Sequence, residues 1–216
     1  LVEPLSVALH AVRKSGLIVG QNVLILGAGA IGLLCAAVCK GTGALDITIV
    51  DVDQTRLDFA TSQAPRGTQV ADRSFLIPFS QEGESKADFA SRLSREMFDS
   101  LKTHRRFDIA FECTGVETCT NIAIHCAAPG GKVVLVGMGS SLQNLNIGAA
   151  AVREVDLLSL WRYANTFPTA IDLVQRGRID LKSLVTHQVG LTRAEEALDI
   201  ALKKPEGLIK VVITSD

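Results

Sequence analysis

Gly27-Ala28-Gly29-Ala30-Ile31-Gly32 is a complete G-x-G-x-x-G run, placed where an apolar strand gives way to a helix. Such spacing suits the binding of a diphosphate. Gly27 permits the tight turn, Gly29 lets the backbone approach phosphate oxygens, and Gly32 lets helix and strand pack closely. The unpaired amides at the helix start then face the anion. About 20 residues further on comes Asp51, at the end of the next apolar run, where a carboxylate accepts hydrogen bonds from an adenosine ribose. The pairing of fingerprint and acid raises the pattern above a chance match. Asp51 also selects. A ribose 2′-phosphate about 4 Å away would be repelled by about 1 kcal/mol in water and about 4 kcal/mol at an intermediate effective dielectric. The expected coenzyme is therefore NAD(H) rather than NADP(H). Arg56 is expected either to stack near the adenine or to lie solvated on its helix, and Asp53 to cap that helix.

The elements around these residues alternate. Strands are expected at Asn22–Leu26, Ile47–Val50, Ile109–Glu112, Lys132–Val136 and Asp156–Leu160. Helices are expected at Ala30–Lys40, Gln54–Gln63 and Glu117–Cys126. Strands apolar on both faces and separated by helices imply an α/β fold, a doubly wound parallel sheet of Rossmann type. Ligands in such sheets lie beyond the carboxyl ends of the strands. Cys113-Thr114-Gly115, after the third strand named, and Gly137-Met138-Gly139, after the fourth, are thus candidates to flank the nicotinamide. The long stretch Arg66–Arg106, with a helix expected at Ala87–Leu101, reads as a surface insertion or elaborated crossover, with Arg105 and Arg106 solvated. From Phe167 the chain changes character, with helices expected at Phe167–Gln175 and Arg193–Lys203 and a last strand at Leu208–Ile213.

Composition narrows the function. The chain has 216 residues and a formal net charge of -1, so no basic excess points to nucleic acid. No apolar run approaches the roughly 18–20 residues of a membrane span. The five cysteines make no CxxC pair and suit a reducing compartment, hence a cytoplasmic location. Cys35 and Cys39 are expected as buried helical thiols rather than a metal pair. Leu1-Val2-Glu3-Pro4 has neither an initiator Met nor the cationic stretch of a secretory leader, and is expected to begin inside a longer protein. Gly32 is followed by Leu33, not the Gly-Lys-Ser/Thr of a phosphate-binding NTPase. Tyr163 lacks the Lys four residues on that a short-chain dehydrogenase would show. His187 is expected to be structural rather than a catalytic base.

Further segments carry a resemblance: Glu3-Pro4-Leu5-Ser6-Val7, Asp51-Val52-Asp53 with Arg56, Glu112-Cys113-Thr114-Gly115, Arg153-Glu154-Val155-Asp156, Trp161-Arg162-Tyr163-Ala164-Asn165-Thr166 and Val185-Thr186-His187. With the glycine run, these resemble the zinc-dependent medium-chain dehydrogenases, and within them the sorbitol (polyol) dehydrogenases. The resemblance implies coenzyme contacts from Ile31, Asp51 and Arg56, and from Val136, Gly137, Met138, Leu160, Trp161 and Arg162. It implies polyol contacts from Arg162 and Tyr163, and places Glu3 beside a catalytic zinc and its water. Read alone, Arg162-Tyr163 would be a surface pair and Glu3 an exposed carboxylate.

The family's main zinc ligands, a Cys and a His-Glu pair, fall upstream of residue 1, so no metal is expected to be ligated within this chain. The resemblance implies a coenzyme-binding portion oxidising a sugar alcohol to a ketose only as part of a full-length homo-oligomer, a tetramer or dimer. The expected division is a helix or linker at 1–13, a dinucleotide domain at 14–162, and a segment at 163–216 that packs with a catalytic domain. The alternative is a non-catalytic NAD(H) sensor, which would need no alcohol pocket.

Overall fold

The computed structural model describes residues 1–61, 69–103 and 105–215. Its centre is a sheet of six parallel strands in the order β3-β2-β1-β4-β5-β6. These are β1 (Asn22–Leu26), β2 (Asp46–Asp51), β3 (Arg73–Leu76), β4 (Phe107–Glu112), β5 (Ala127–Leu135) and β6 (Asp156–Ser159). Strand order reverses between β1 and β4, the topological switch point of a Rossmann sheet. The inner strands are buried on both faces, because helices cover both.

One face holds α1 (Val2–Ser15) and α2 (Ala30–Thr42), joined by α7 (Phe167–Gln175), over a core containing Leu5, Ile25, Leu34, Ile49 and Phe111. The other face holds α4 (Lys86–Ser100), α5 (Glu117–Cys126) and α6 (Ile147–Ala151), over Leu24, Leu26, Leu93, Met97 and Ile122. Helix α3 (Gln54–Ala60) follows β2. Asp53 caps it, accepting from the amides of Thr55 at 2.9 Å and Arg56 at 3.3 Å. After α7 come β7 (His187–Gly190), α8 (Ala194–Lys203) and β8 (Val211–Thr214), with β7 and β8 paired in a small parallel sheet.

The expected elements are present with shifted ends. Of the two readings offered for the stretch that holds α4, the crossover holds and the surface insertion does not. The amphipathic face of α4 sends Phe89, Ala90, Leu93 and Met97 into the second core, making it the crossover helix between β3 and β4. Arg105 and Arg106 are both exposed, as expected, and Arg106 makes two contacts besides. Its guanidinium lies over the Phe98 ring, 5.6 Å from the centroid, and donates to the carbonyl of His125. Strands β3 and β7 were not expected. The former is a short edge strand of mixed exposure, bearing Arg73 paired with Asp46 at 3.0 Å. Ser62 and Gln63, the expected end of the helix after β2, lie outside the described residues.

Candidate dinucleotide cleft

The three glycines of the fingerprint have different surroundings. Gly27 adopts φ +99, and a Cβ there would meet the Thr114 side chain at 2.8 Å. At Gly32 a Cβ would stand 1.8 Å from the Gly27 carbonyl oxygen, so α2 crosses the turn at a distance only glycine allows. At Gly29 nothing lies within 4 Å of that position. Packing therefore does not require glycine at residue 29, and its backbone stands open. Gly29 is also the N-cap of α2 and provides no side-chain cap, so the first-turn amides, including that of Ile31, keep their donor capacity.

Asp51 ends β2 beside this turn and is only 7% exposed. One carboxylate oxygen accepts from the Ala28 amide at 2.6 Å, the other from the Asp53 amide at 3.0 Å. Each oxygen retains lone-pair capacity for a further donor. The acid therefore braces the glycine turn as well as facing the cleft. Arg56 is half-buried rather than fully solvated. Its Nε donates to the Leu208 carbonyl at 3.2 Å and lies 3.4 Å from Asp53, while its side chain borders the cavity.

That cavity, about 560 Å³, opens beyond the ends of β1, β2 and β4. Gly27, Gly29 and Asp51 form its polar side, and Val52, Ile77, Phe89, Val116 and Ile122 its apolar side. Lys204, in the left-handed conformation just after α8, stands at the edge. Apart from Val52, which lies beside Asp51, no motif announced the apolar residues or Lys204; they arrive from separate elements. Cys113 and Cys119 also border it; a hydrogen bond with Cys35 and then burial raise the Cys113 thiol, and burial raises that of Cys119. Cys35 and Cys39 are buried on α2, as expected.

On the β4–β5 side, glycines serve backbone packing. A Cβ on Gly115 would lie 2.4 Å from the Met138 carbonyl carbon, one on Gly137 2.1 Å from the Gly115 amide nitrogen, and one on Gly139 1.7 Å from the Gly115 carbonyl oxygen. The loops after β4 and β5 are thus stacked main chain on main chain. Glu112, 1% exposed, lies beneath them. Its carboxylate accepts from the Thr114 amide at 2.7 Å, the Thr114 hydroxyl, and the Gly115 amide at 3.0 Å. Burial raises its carboxyl above the ordinary range, and those hydrogen bonds oppose the rise. In the sequence Glu112 stands at the end of a strand and opens the Glu112-Cys113-Thr114-Gly115 segment, with no role of its own assigned.

The segment after β6 is exposed. Leu160 donates its amide to the Leu135 carbonyl at 3.2 Å. Trp161 and Arg162 point outward, with the guanidinium 5.6 Å from the indole centroid, and Met138 is likewise exposed. Arg162 and Asn165 both hold left-handed φ, a conformation that costs a non-glycine residue free energy. Tyr163 packs edge-on against Phe167 at 5.0 Å. The buried Thr166 hydroxyl donates to the Ser6 carbonyl at 3.0 Å, and Arg13 donates to Asn165 and Thr169. These bonds tie the 161–166 segment to α1, which carries the exposed Glu3 in its first turn. His187, half-buried on β7, has its Nδ1 3.0 Å from the Thr186 hydroxyl.

Among the described residues no cluster of three or more His, Cys, Asp or Glu side chains is arranged to hold a metal ion. No helix of theirs is long and apolar enough to cross a membrane.

Residues 30–176 match the family model described as zinc-binding dehydrogenase. L-arabinitol 4-dehydrogenase of Penicillium rubens is 39% identical over 215 residues, covering 100% of this chain and 54% of that protein. Sorbitol dehydrogenase of Bos taurus is 37% identical over 216 residues, covering 100% and 56%. The chain thus spans about half the length of the curated relatives it matches. Among solved structures, 2R,3R-butanediol dehydrogenase from Bacillus subtilis superposes with TM-score 0.80 at 26% identity, covering 100% of this chain and 57% of that one. An alcohol dehydrogenase from Escherichia coli complexed with NADH shares the fold, with TM-score 0.82 at 22% identity and coverage of 99% and 58%.

Proposed function

The chain belongs to the zinc-binding dehydrogenase family, and from that premise we propose that it is the coenzyme-binding portion of an NAD(H)-dependent polyol dehydrogenase. One observation carries the reading. An open backbone at Gly29, an uncapped helix start and the carboxylate of Asp51 converge on one partly apolar cavity. A dinucleotide has matching parts. Its diphosphate would lie on Gly29 and the first amides of α2, its ribose hydroxyls on Asp51, and its adenine among Val52, Ile77, Val116 and Ile122. The nicotinamide half would extend over β4–β6, toward Thr114, Gly115, Val136, Gly137, Met138, Leu160, Trp161 and Arg162. The coenzyme, when bound, supplies the hydride acceptor.

The described residues do not fit the zinc ion. Its ligands would come from the part of the relatives' length that this chain does not span. The chain's own contribution to alcohol oxidation is then binding and orientation. Arg162 can donate several hydrogen bonds to substrate hydroxyls, Tyr163 adds a hydroxyl, and Glu3 presents a carboxylate from the helix to which their segment is tied. The relatives named for sorbitol and L-arabinitol support a sugar alcohol as substrate. We place residues 1–13 and 163–216 with the catalytic part and 14–162 with the coenzyme part. A homo-oligomer accords with the exposed apolar Leu142, Ile147 and Val152 near the edge strand β6. The five free thiols accord with a reducing cytoplasm.

Titration of this chain with NADH tests the reading. Trp161 is the sole tryptophan, so saturable quenching with energy transfer to the reduced nicotinamide is the expected signal. Polyol turnover is expected only from the full-length protein with zinc. Absence of NADH binding would overturn the proposal.

A further inference from the structure

The loops after β4 and β5 both hang on one residue; the first borders the cleft through Thr114 and Val116, and the second lines a neighbouring pocket with Glu112. The Glu112 side chain takes the amides of Thr114 and Gly115 and the hydroxyl of Thr114. Its main-chain carbonyl takes the amides of Val136 and Gly137, each at 2.8 Å. The Thr114 hydroxyl in turn accepts from the Val116 amide at 3.0 Å, next to the apolar side of the cavity. The Gly115 carbonyl accepts from Gln143 Nε2 at 3.2 Å, drawing the chain beyond β5 onto the same assembly. We propose that Glu112 is a positioning residue that fixes both loops and so sets the coenzyme affinity of the cleft.

The side chain is suited to this task because several donors converge on it. A carboxylate accepts all of them, whereas a neutral acid or an amide must turn one donor of its own toward the Gly115 N–H. Among the described residues no cation is paired with it. The titratable groups that feel Glu112 are the Cys113 and Cys119 thiols, both themselves raised. Burial brings the carboxyl's titration above the ordinary range. Protonation therefore weakens the loop anchor at a pH where Glu112→Gln, its neutral isostere, is unaffected.

The effect on binding rests on the cofactor reading above, so the test has two arms. In the first, NADH affinity of wild type and Glu112→Gln is followed from neutral to acid pH. The expected loss at neutral pH is about tenfold, the factor for one lost hydrogen bond to a charged acceptor. The gap should close as pH falls, because wild type comes to resemble the variant. A ratio of one throughout, or a constant ratio as expected from altered packing alone, overturns the proposal.

In the second arm, amide exchange of Thr114 and Gly115 is read without coenzyme. Faster exchange in Glu112→Gln supports the role, and unchanged exchange overturns it. This arm decides the role of Glu112 even if wild type takes up no NADH, a result that would instead remove the cofactor reading. Should Glu112→Gln not fold, Glu112→Asp keeps the charge but shortens the reach, and the same acceleration at Gly115 is expected.

Discussion

Gly29→Ala separates ligand binding from folding more cleanly than any other change at the cleft. Gly29 has φ −76 and ψ −177, a conformation open to alanine, and no atom lies within 4 Å of the added methyl. Two small effects act on stability. Alanine restricts the unfolded chain, which favours the fold by about 0.4–1 kcal/mol. It is also a poorer N-cap than glycine, which costs a similar amount, on the order of 1 kcal/mol. The net change is expected within about 1 kcal/mol, with a nearly unaltered thermal midpoint. In the complex, the methyl would occupy the space that phosphate oxygens need to reach the α2 amides. Loss of one such charge-assisted hydrogen bond, about 1.5–3 kcal/mol, corresponds to a fall in NADH affinity of about ten- to a hundredfold. Calorimetric titration and a melting curve on the same preparation read both quantities. A variant that melts like wild type and binds NADH equally well would refute a diphosphate seat at Gly29.

Gly32→Ala should do the reverse, since its methyl meets the Gly27 carbonyl oxygen at 1.8 Å. Chemical denaturation is expected to show a loss at or beyond the roughly 1–3 kcal/mol of ordinary overpacking. Asp51→Ser should raise affinity for NADPH relative to NADH by at least about fivefold, from removal of about 1 kcal/mol or more of repulsion. It should also destabilise the free protein by about 1–3 kcal/mol, because the buried Ala28 amide loses its acceptor; paired titrations and melts check both. Burial first, then the guanidinium groups of Arg153 and Arg106, hold His125 below its ordinary value of 6.5. The unfolded chain thus binds the proton more readily, and stability is lost as pH falls through 6.5 toward the folded value. Melting curves of His125→Gln should show a shallower decline over that window.

The β1–α2 turn was legible because two independent signals coincide there: an apolar strand and three glycines in register. Asp51 was legible from its distance along the chain, but its bond to the Ala28 amide was not, since that depends on the parallel pairing of β1 and β2. Strands β3 and β7 escaped notice because four-residue strands of mixed exposure carry almost no periodicity. Pro129-Gly130-Gly131 hid the start of β5, which begins at Ala127 rather than Lys132. The apolar side of the cavity was illegible for a different reason. Val52, Phe89 and Ile122 are distant in sequence, and only the strand order brings them together. Gly115, Gly137 and Gly139 were correctly marked as loop glycines, yet their cause is mutual backbone contact, which spacing does not encode. Glu112 looked like the polar end of a strand until the donors around it were in place.

A crystal structure of this chain with NADH is the most direct trial of a dinucleotide seat at the switch point. The expected density puts the diphosphate against Gly29 and the first turn of α2, with the ribose hydroxyls on Asp51 and the adenine between Val52 and Val116. NADH bound elsewhere, or a cleft left vacant at saturating concentration, would contradict it.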